Sequence, residues 1–188
     1  MSSSEEEDEP VLVLQPGDHT PYGQVRCRLG RGTFATVWMV ETDEGGHAAV
    51  KVGAQCAEEE AELAEEVGES PYVVAVRERT TMERDGVQHD VTLSDLMGDS
   101  SYRLLRAYPD GIPTPVVRRM ARDLLCGLRD MHAVGVVHAD VKPENLLLPA
   151  LSDPEEVLDR LVRDRVEADV NERLAGDDEM LQVWSRAP

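Results

Sequence analysis

Basic residues are scarce in this chain: 19 Lys and Arg stand against 38 Asp and Glu among 188 residues, a formal charge of -19. Binding DNA or RNA by neutralising phosphates needs a basic face, so no nucleic acid is expected as a partner. The acidity favours a cationic partner, or serves only to keep the protein soluble. Cysteines are few and scattered. Cys27, Cys56 and Cys126 are odd in number and show no CxxC spacing, which fits neither a disulfide framework nor a zinc site and points to a reducing compartment. The first ten residues are rich in Ser and Glu and lack the basic and apolar regions of a signal peptide. Long apolar runs are missing too: Leu146 to Leu151, broken by Pro149, is far below a membrane span. A soluble cytoplasmic or nuclear protein without a membrane association is expected.

What is present alternates. Residues 1–20 read as an acidic disordered tail with one short apolar run at Val11 to Leu14. Val25, Cys27 and Leu29 then alternate with polar residues, as in a half-buried strand. A glycine-containing turn follows at Gly30 to Gly32, then a strand at Thr36 to Val40, a hairpin turn at Asp43 to Gly46, and a third strand at His47 to Val52. Residues 57–68 have helical spacing, and Tyr72 to Val76 and Val87 to Leu93 read as further strands. Thr114 is expected to cap a long amphipathic helix whose face runs from Val116 through Met120, Leu124 and Leu128 to Met131. A last, highly charged helix opens at Ser152 to Glu156 with capping-box spacing and carries Leu158, Val162, Val166, Val170 and Leu174. Strands, a helix, strands and then helices make an α+β protein.

Three stretches carry chemistry. Leu29 to Val37 holds Gly30 and Gly32 between two strands. Glycines let backbone N–H groups approach phosphate oxygens, although an ordinary hairpin reads the same way. Because a strand follows the loop, a dinucleotide-binding fold and a Walker loop, which both need a helix there, are disfavoured. Lys51 sits in the apolar strand Ala49-Val50-Lys51-Val52, where its charge needs matching by phosphate or carboxylate, or else reaches water from a strand end. His138 to Leu148 places Asp140, Lys142 and Asn145 on one short loop. The carboxylate can orient a hydroxyl and accept its proton. The ammonium can offset phosphoryl charge, and the carboxamide oxygen can ligate Mg²⁺.

Taken in order, these stretches resemble the serine/threonine protein kinases, and most nearly their SR-protein kinase branch. Residues 32–38, 111–115 and 138–145 carry that resemblance, which spans about 21–150. It implies a kinase-like α+β fold: a small antiparallel sheet lobe with one helix (21–98), then an incomplete helical lobe with the catalytic loop (99–151). The charged helix (152–175) and a tail (176–188) complete the division. The resemblance further implies ATP and Mg²⁺ as cofactors, with Asp140 and Lys142 catalytic and Asn145 a metal ligand. Gly30, Gly32 and Lys51 would hold phosphates, with Ala35 in place of a third glycine. Leu29, Val37, Ala49 and Leu147 would cover adenine, or serve core packing equally well, and the backbone of Asp95, Leu96 and Met97 would form a hinge. A helix glutamate should pair with Lys51. Glu60 is nominated because it shares a face with Ala57, Ala61 and Ala64, whereas Glu58, Glu62, Glu65 and Glu66 read as a solvated face. The implied partner is a protein substrate, basic and arginine/serine-rich.

Departures from the family pattern leave two readings open. No Asp-Phe-Gly or Asp-Leu-Gly follows Asn145, and Ala139 replaces the arginine usual in that triplet. One reading is a kinase that transfers the ATP γ-phosphate to a protein hydroxyl, with its missing half supplied by a partner. The other is a pseudokinase-like module that holds nucleotide or a partner without transfer.

Overall fold

The computed structural model describes residues 12–32, 35–53 and 57–150, with the backbone alone for 57–61. Its centre is one antiparallel sheet. The strands are β1 (His19–Thr20), β2 (Gly23–Arg31), β3 (Ala35–Glu41), β4 (His47–Gly53), β5 (Val76–Arg84) and β6 (Val87–Asp95), ordered β1-β2-β3-β4-β6-β5. Period-two alternation sorts their side chains to two faces. Trp38, Val40, Val50, Val52 and Val91 pack with Val25 in the core on one face, while Lys51 alternates with Val50 and Val52 and so belongs to the other.

Leu14 closes the core and is only 1% exposed. Thr36 Oγ1 donates to Leu12 O at 2.9 Å, and Trp38 Nε1 donates to Thr36 Oγ1 at 2.7 Å. Gly17 N donates to Val25 O and Val25 N to Asp18 O. Residues 12–20, expected to belong to a disordered tail, therefore strap the sheet. The physical reason is the apolar area of Leu12 and Leu14, which outweighs the polarity of their neighbours once the main chain also finds partners on β2. Residues 1–11 lie outside the described residues.

The expected hairpin at 43–46 is present: Thr42 N donates to Gly46 O at 2.8 Å. A second hairpin was not read from the sequence. Asp85 (φ 54°) and Gly86 (φ 79°) both adopt the positive φ of a two-residue primed turn and join β5 to β6. This displaces the strand expected at Tyr72 to Val76. Residues 70–75 form a turn instead, in which Ser70 Oγ accepts from Tyr72 N and donates to Asp130 Oδ2 at 2.8 Å. β5 is a charged edge strand, with Arg77, Glu78, Arg79 and Glu83 exposed, a composition that guards a sheet edge but masks the strand signal.

Among the described residues there are three α-helices: α1 (Ala57–Val67), α2 (Ser101–Ala107) and α3 (Thr114–Ala133). α1 and α3 match the sequence reading, but α2 was not foreseen. The cap of α3 falls one residue early. Pro113 O accepts from Val116 N and Val117 N, so Pro113 is the cap and Thr114 is already helical. The expected helix at 152–175 and the tail at 176–188 lie outside the described residues.

Candidate functional site

Cross-strand register places the sheet residues first. Gly30 pairs with Val37, Val37 with Lys51, and Lys51 with Thr92, so one row crosses β2, β3, β4 and β6. Ala49, two residues before Lys51, shares its face and pairs with Met39 and Ser94. The glycine loop is a hairpin as expected: Gly30 is still part of β2, and Gly32 N donates to Ala35 O at 2.7 Å. Its tip, residues 33–34, lies outside the described residues. Leu29 and Val37 are half-buried on either side of it.

β6 then leads into the hinge. The Asp95 carboxylate is held by Arg77, Nε to Oδ1 at 2.7 Å and Nη2 to Oδ2 at 2.8 Å, so what Asp95 offers a ligand is main chain. Leu96 and Met97 are half-buried. Just beyond them, the chain is laced to the segment after Asn145. Gly98 N donates to Leu148 O at 2.9 Å, Leu148 N to Asp99 O at 2.9 Å, and Ser101 N to Leu146 O at 2.7 Å. Ser100 bridges Leu147 through the backbone. A Cβ at Gly98 would lie 2.8 Å from Pro149 O, so only glycine admits this approach. The strand hydrogen-bonded to Lys51's strand thus continues directly into the clasp on the loop that carries Asn145.

The loop itself leaves α3 through Val136, which is buried and whose N–H donates to Met131 O. Ala139 takes φ 60°, a left-handed conformation unusual for alanine. This turns Asp140 so that its N–H donates to His138 O at 2.8 Å. Asp140 Oδ2 accepts from Lys142 Nζ at 2.6 Å and from Asn145 Nδ2 at 2.9 Å, and Asn145 Nδ2 also donates to Asp140 O. The three residues singled out from the sequence therefore form one hydrogen-bonded cluster. The hydrogen bond from Lys142 holds the Asp140 carboxyl below the usual carboxylate range; partial burial opposes it and the Asn145 hydrogen bond adds to it. Asp140 is an anion at neutral pH. With Nδ2 turned to Asp140, the Asn145 amide oxygen could serve a cation, and an oxygen donor beside a carboxylate suits a hard ion such as Mg²⁺.

Leu147 is half-buried against Ser100. The Glu60 side chain lies outside the described residues, although the helix carrying it is present. Sequence reasoning did not single out Gly98, Ser101 or His138 as site residues. Two adjacent serines ahead of Tyr102, Leu104 and Leu105 are a helix-start signal that would have found α2.

The architecture is that of a protein-kinase-like α+β protein, an antiparallel sheet lobe with few helices. The family is shown directly: the protein kinase domain matches residues 24–154, and the chain belongs to that family. Its relatives include the serine/threonine-protein kinase SKY1 of Saccharomyces cerevisiae, 27% identical over 176 residues, covering 78% of this chain and 24% of that protein. The serine/threonine-protein kinase SRPK of Physarum polycephalum is 30% identical over 143 residues, covering 68% of this chain and 34% of that one. CBL-interacting protein kinase 4 of Oryza sativa subsp. japonica is 35% identical over 136 residues, covering 64% of this chain and 28% of its own length. The chain spans 24–34% of the length of these three relatives. Among the described residues, no helix is long and apolar enough to cross a membrane.

Proposed function

We propose that this chain is the nucleotide-binding part of an ATP-dependent serine/threonine kinase. The observation that carries the reading is the clasp joining the Lys51-bearing sheet to the Asp140–Lys142–Asn145 cluster. ATP would lie with adenine against Leu29, Val37, Ala49 and Leu147, and main chain at Asp95 and Met97 would meet its edge. Gly30, Gly32 and Lys51 would hold its phosphates, with Glu60 orienting the lysine. Mg²⁺, when bound, supplies charge neutralisation at the phosphate oxygens. Asn145 would be one of its ligands.

Asp140 would accept the proton of a protein hydroxyl as that oxygen attacks the γ-phosphorus and the bond to ADP breaks. Lys142 favours the carboxylate form of Asp140 and adds positive charge beside the transferred group. A basic, arginine/serine-rich substrate fits the net charge of -19 and the SRPK-type relatives. Transfer of labelled γ-phosphate to an arginine/serine-rich peptide, abolished by Asp140→Ala, is the test. Incorporation that survives Asp140→Ala would remove this role.

A second reading rests on one observation: residues 146–188 contain neither Asp-Phe-Gly nor Asp-Leu-Gly. In that reading the module holds nucleotide or a partner without transferring phosphate. Saturable ATP binding with no labelled product, restored to transfer by an added kinase helical lobe, would favour it.

A further inference from the structure

We infer that Ser101, a residue outside the catalytic-loop motif, is the positioning residue that fixes Asn145 for a metal-bound nucleotide. The inference rests on the nucleotide reading above. Asn145 sits in a single tight turn, Pro143–Asn145, whose own bonds are few: Asn145 N donates to Lys142 O at 3.0 Å and Leu146 N to Pro143 O at 3.4 Å. Pro143 has no N–H to add. Ser101 brackets that turn from outside. Its hydroxyl donates to Pro143 O at 2.8 Å and its main-chain N–H donates to Leu146 O at 2.7 Å, one contact on each side of Asn145. At 3% exposure the hydroxyl is shielded from competing water, which makes its single acceptor consequential.

The neighbouring serine makes the role specific. Ser100 is fully buried and its hydroxyl has no hydrogen-bond partner, so of the two adjacent buried serines only Ser101 reaches the turn with its hydroxyl. Asn145 in turn donates to both the main chain and the carboxylate of Asp140. Releasing the turn would therefore let the Asn145 amide oxygen wander while leaving the sheet and the lysine row unchanged. The expected signature is a loss confined to metal-dependent affinity.

The experiment compares the full chain with its Ser101→Ala and Ser100→Ala variants by two readouts. The first is amide hydrogen exchange at residues 144–147 without ligand. Ser101→Ala should speed it about tenfold, the factor a buried hydrogen bond supports, with the β3 and β4 amides unchanged. The second is ATP affinity with and without Mg²⁺. Ser101→Ala should lower the Mg²⁺-dependent gain about tenfold and leave metal-free affinity as it was, whereas Ser100→Ala should alter neither. Equal behaviour of the two variants overturns the inference. So does an equal loss of affinity with and without Mg²⁺, which marks a merely structural serine. A wild-type chain that binds no ATP overturns the nucleotide reading and this inference with it. That result differs from the others in appearing before any substitution is made.

Discussion

Asp140 stays in its carboxylate form further into acid because Lys142 and Asn145 both direct hydrogens at its Oδ2. Its carboxyl pKa is held below the ordinary 3.8, chiefly by the Lys142 hydrogen bond. A group whose folded pKa is lowered stabilises the fold above its unfolded value and loses that contribution as pH falls through the folded one. The loop should therefore keep its geometry down to about pH 4 and loosen only in stronger acid. A carboxyl NMR titration should place the Asp140 midpoint below 3.8 and show Lys142→Met shifting it upward; an unchanged midpoint in that variant would remove Lys142 as the cause. Ala139 supplies a second test at this scale. At φ 60° glycine is at ease, while a β-branched side chain is strained. Ala139→Gly should leave the melting temperature nearly unchanged, and Ala139→Val should cost about 1–3 kcal/mol.

The motif residues were legible because chemistry constrains their spacing: Asp140, Lys142 and Asn145 lie within six residues, and the structure joins them directly. Ser101 was not legible. It acts across 42 positions, and no local pattern records that its hydroxyl meets Pro143 O.

Among the elements, the hairpins β2–β3 and β3–β4 could be read because alternation and glycine turns are local signals. β5 could not, since its exposed charges hide the alternation. Asp85-Gly86 was the clue that would have recovered it. The strap at residues 12–14 was hidden by composition, with the buried Leu14 and the partly buried Leu12 sitting beside an acidic stretch. Its weight is measurable. Leu14→Ala should destabilise the protein by about 2–5 kcal/mol in urea unfolding, the range for a leucine removed from a packed core. A loss under about 0.5 kcal/mol, the size of a surface change, would mean the strap is not part of the core. Thr36→Val should add a smaller loss, because it strands Trp38 Nε1 and frees Leu12 O.

At the scale of the whole molecule, two sets of contacts among the described residues hold the sheet to the part of the chain that follows it. Gly98 to Ser101 grip the loop after Asn145, and Ser70 with Tyr72 sits against Asp130 and Gly127 of α3. A Cβ on Gly127 would lie 3.0 Å from Tyr72 O, so helix and turn are in direct main-chain contact. The other side of α3 is open among the described residues: Val117 is exposed and Leu125 is 65% exposed. Leu125→Gln, which keeps helix propensity, should change stability by no more than about 0.5 kcal/mol. A loss of about 2 kcal/mol or more would instead show that this ridge is covered in solution.

The central claim is that Lys51 and Asn145 serve the same triphosphate from opposite sides of the clasp. Equilibrium dialysis of ATP, with and without Mg²⁺, tests it on the full chain and on Lys51→Met and Asn145→Ala. Lys51→Met should weaken binding at least about tenfold in both conditions, as expected for losing a charged hydrogen bond to phosphate. Asn145→Ala should remove only the gain that Mg²⁺ confers. ATP binding that is indifferent to Lys51→Met, or a Mg²⁺-dependent gain that persists in Asn145→Ala, would contradict the account.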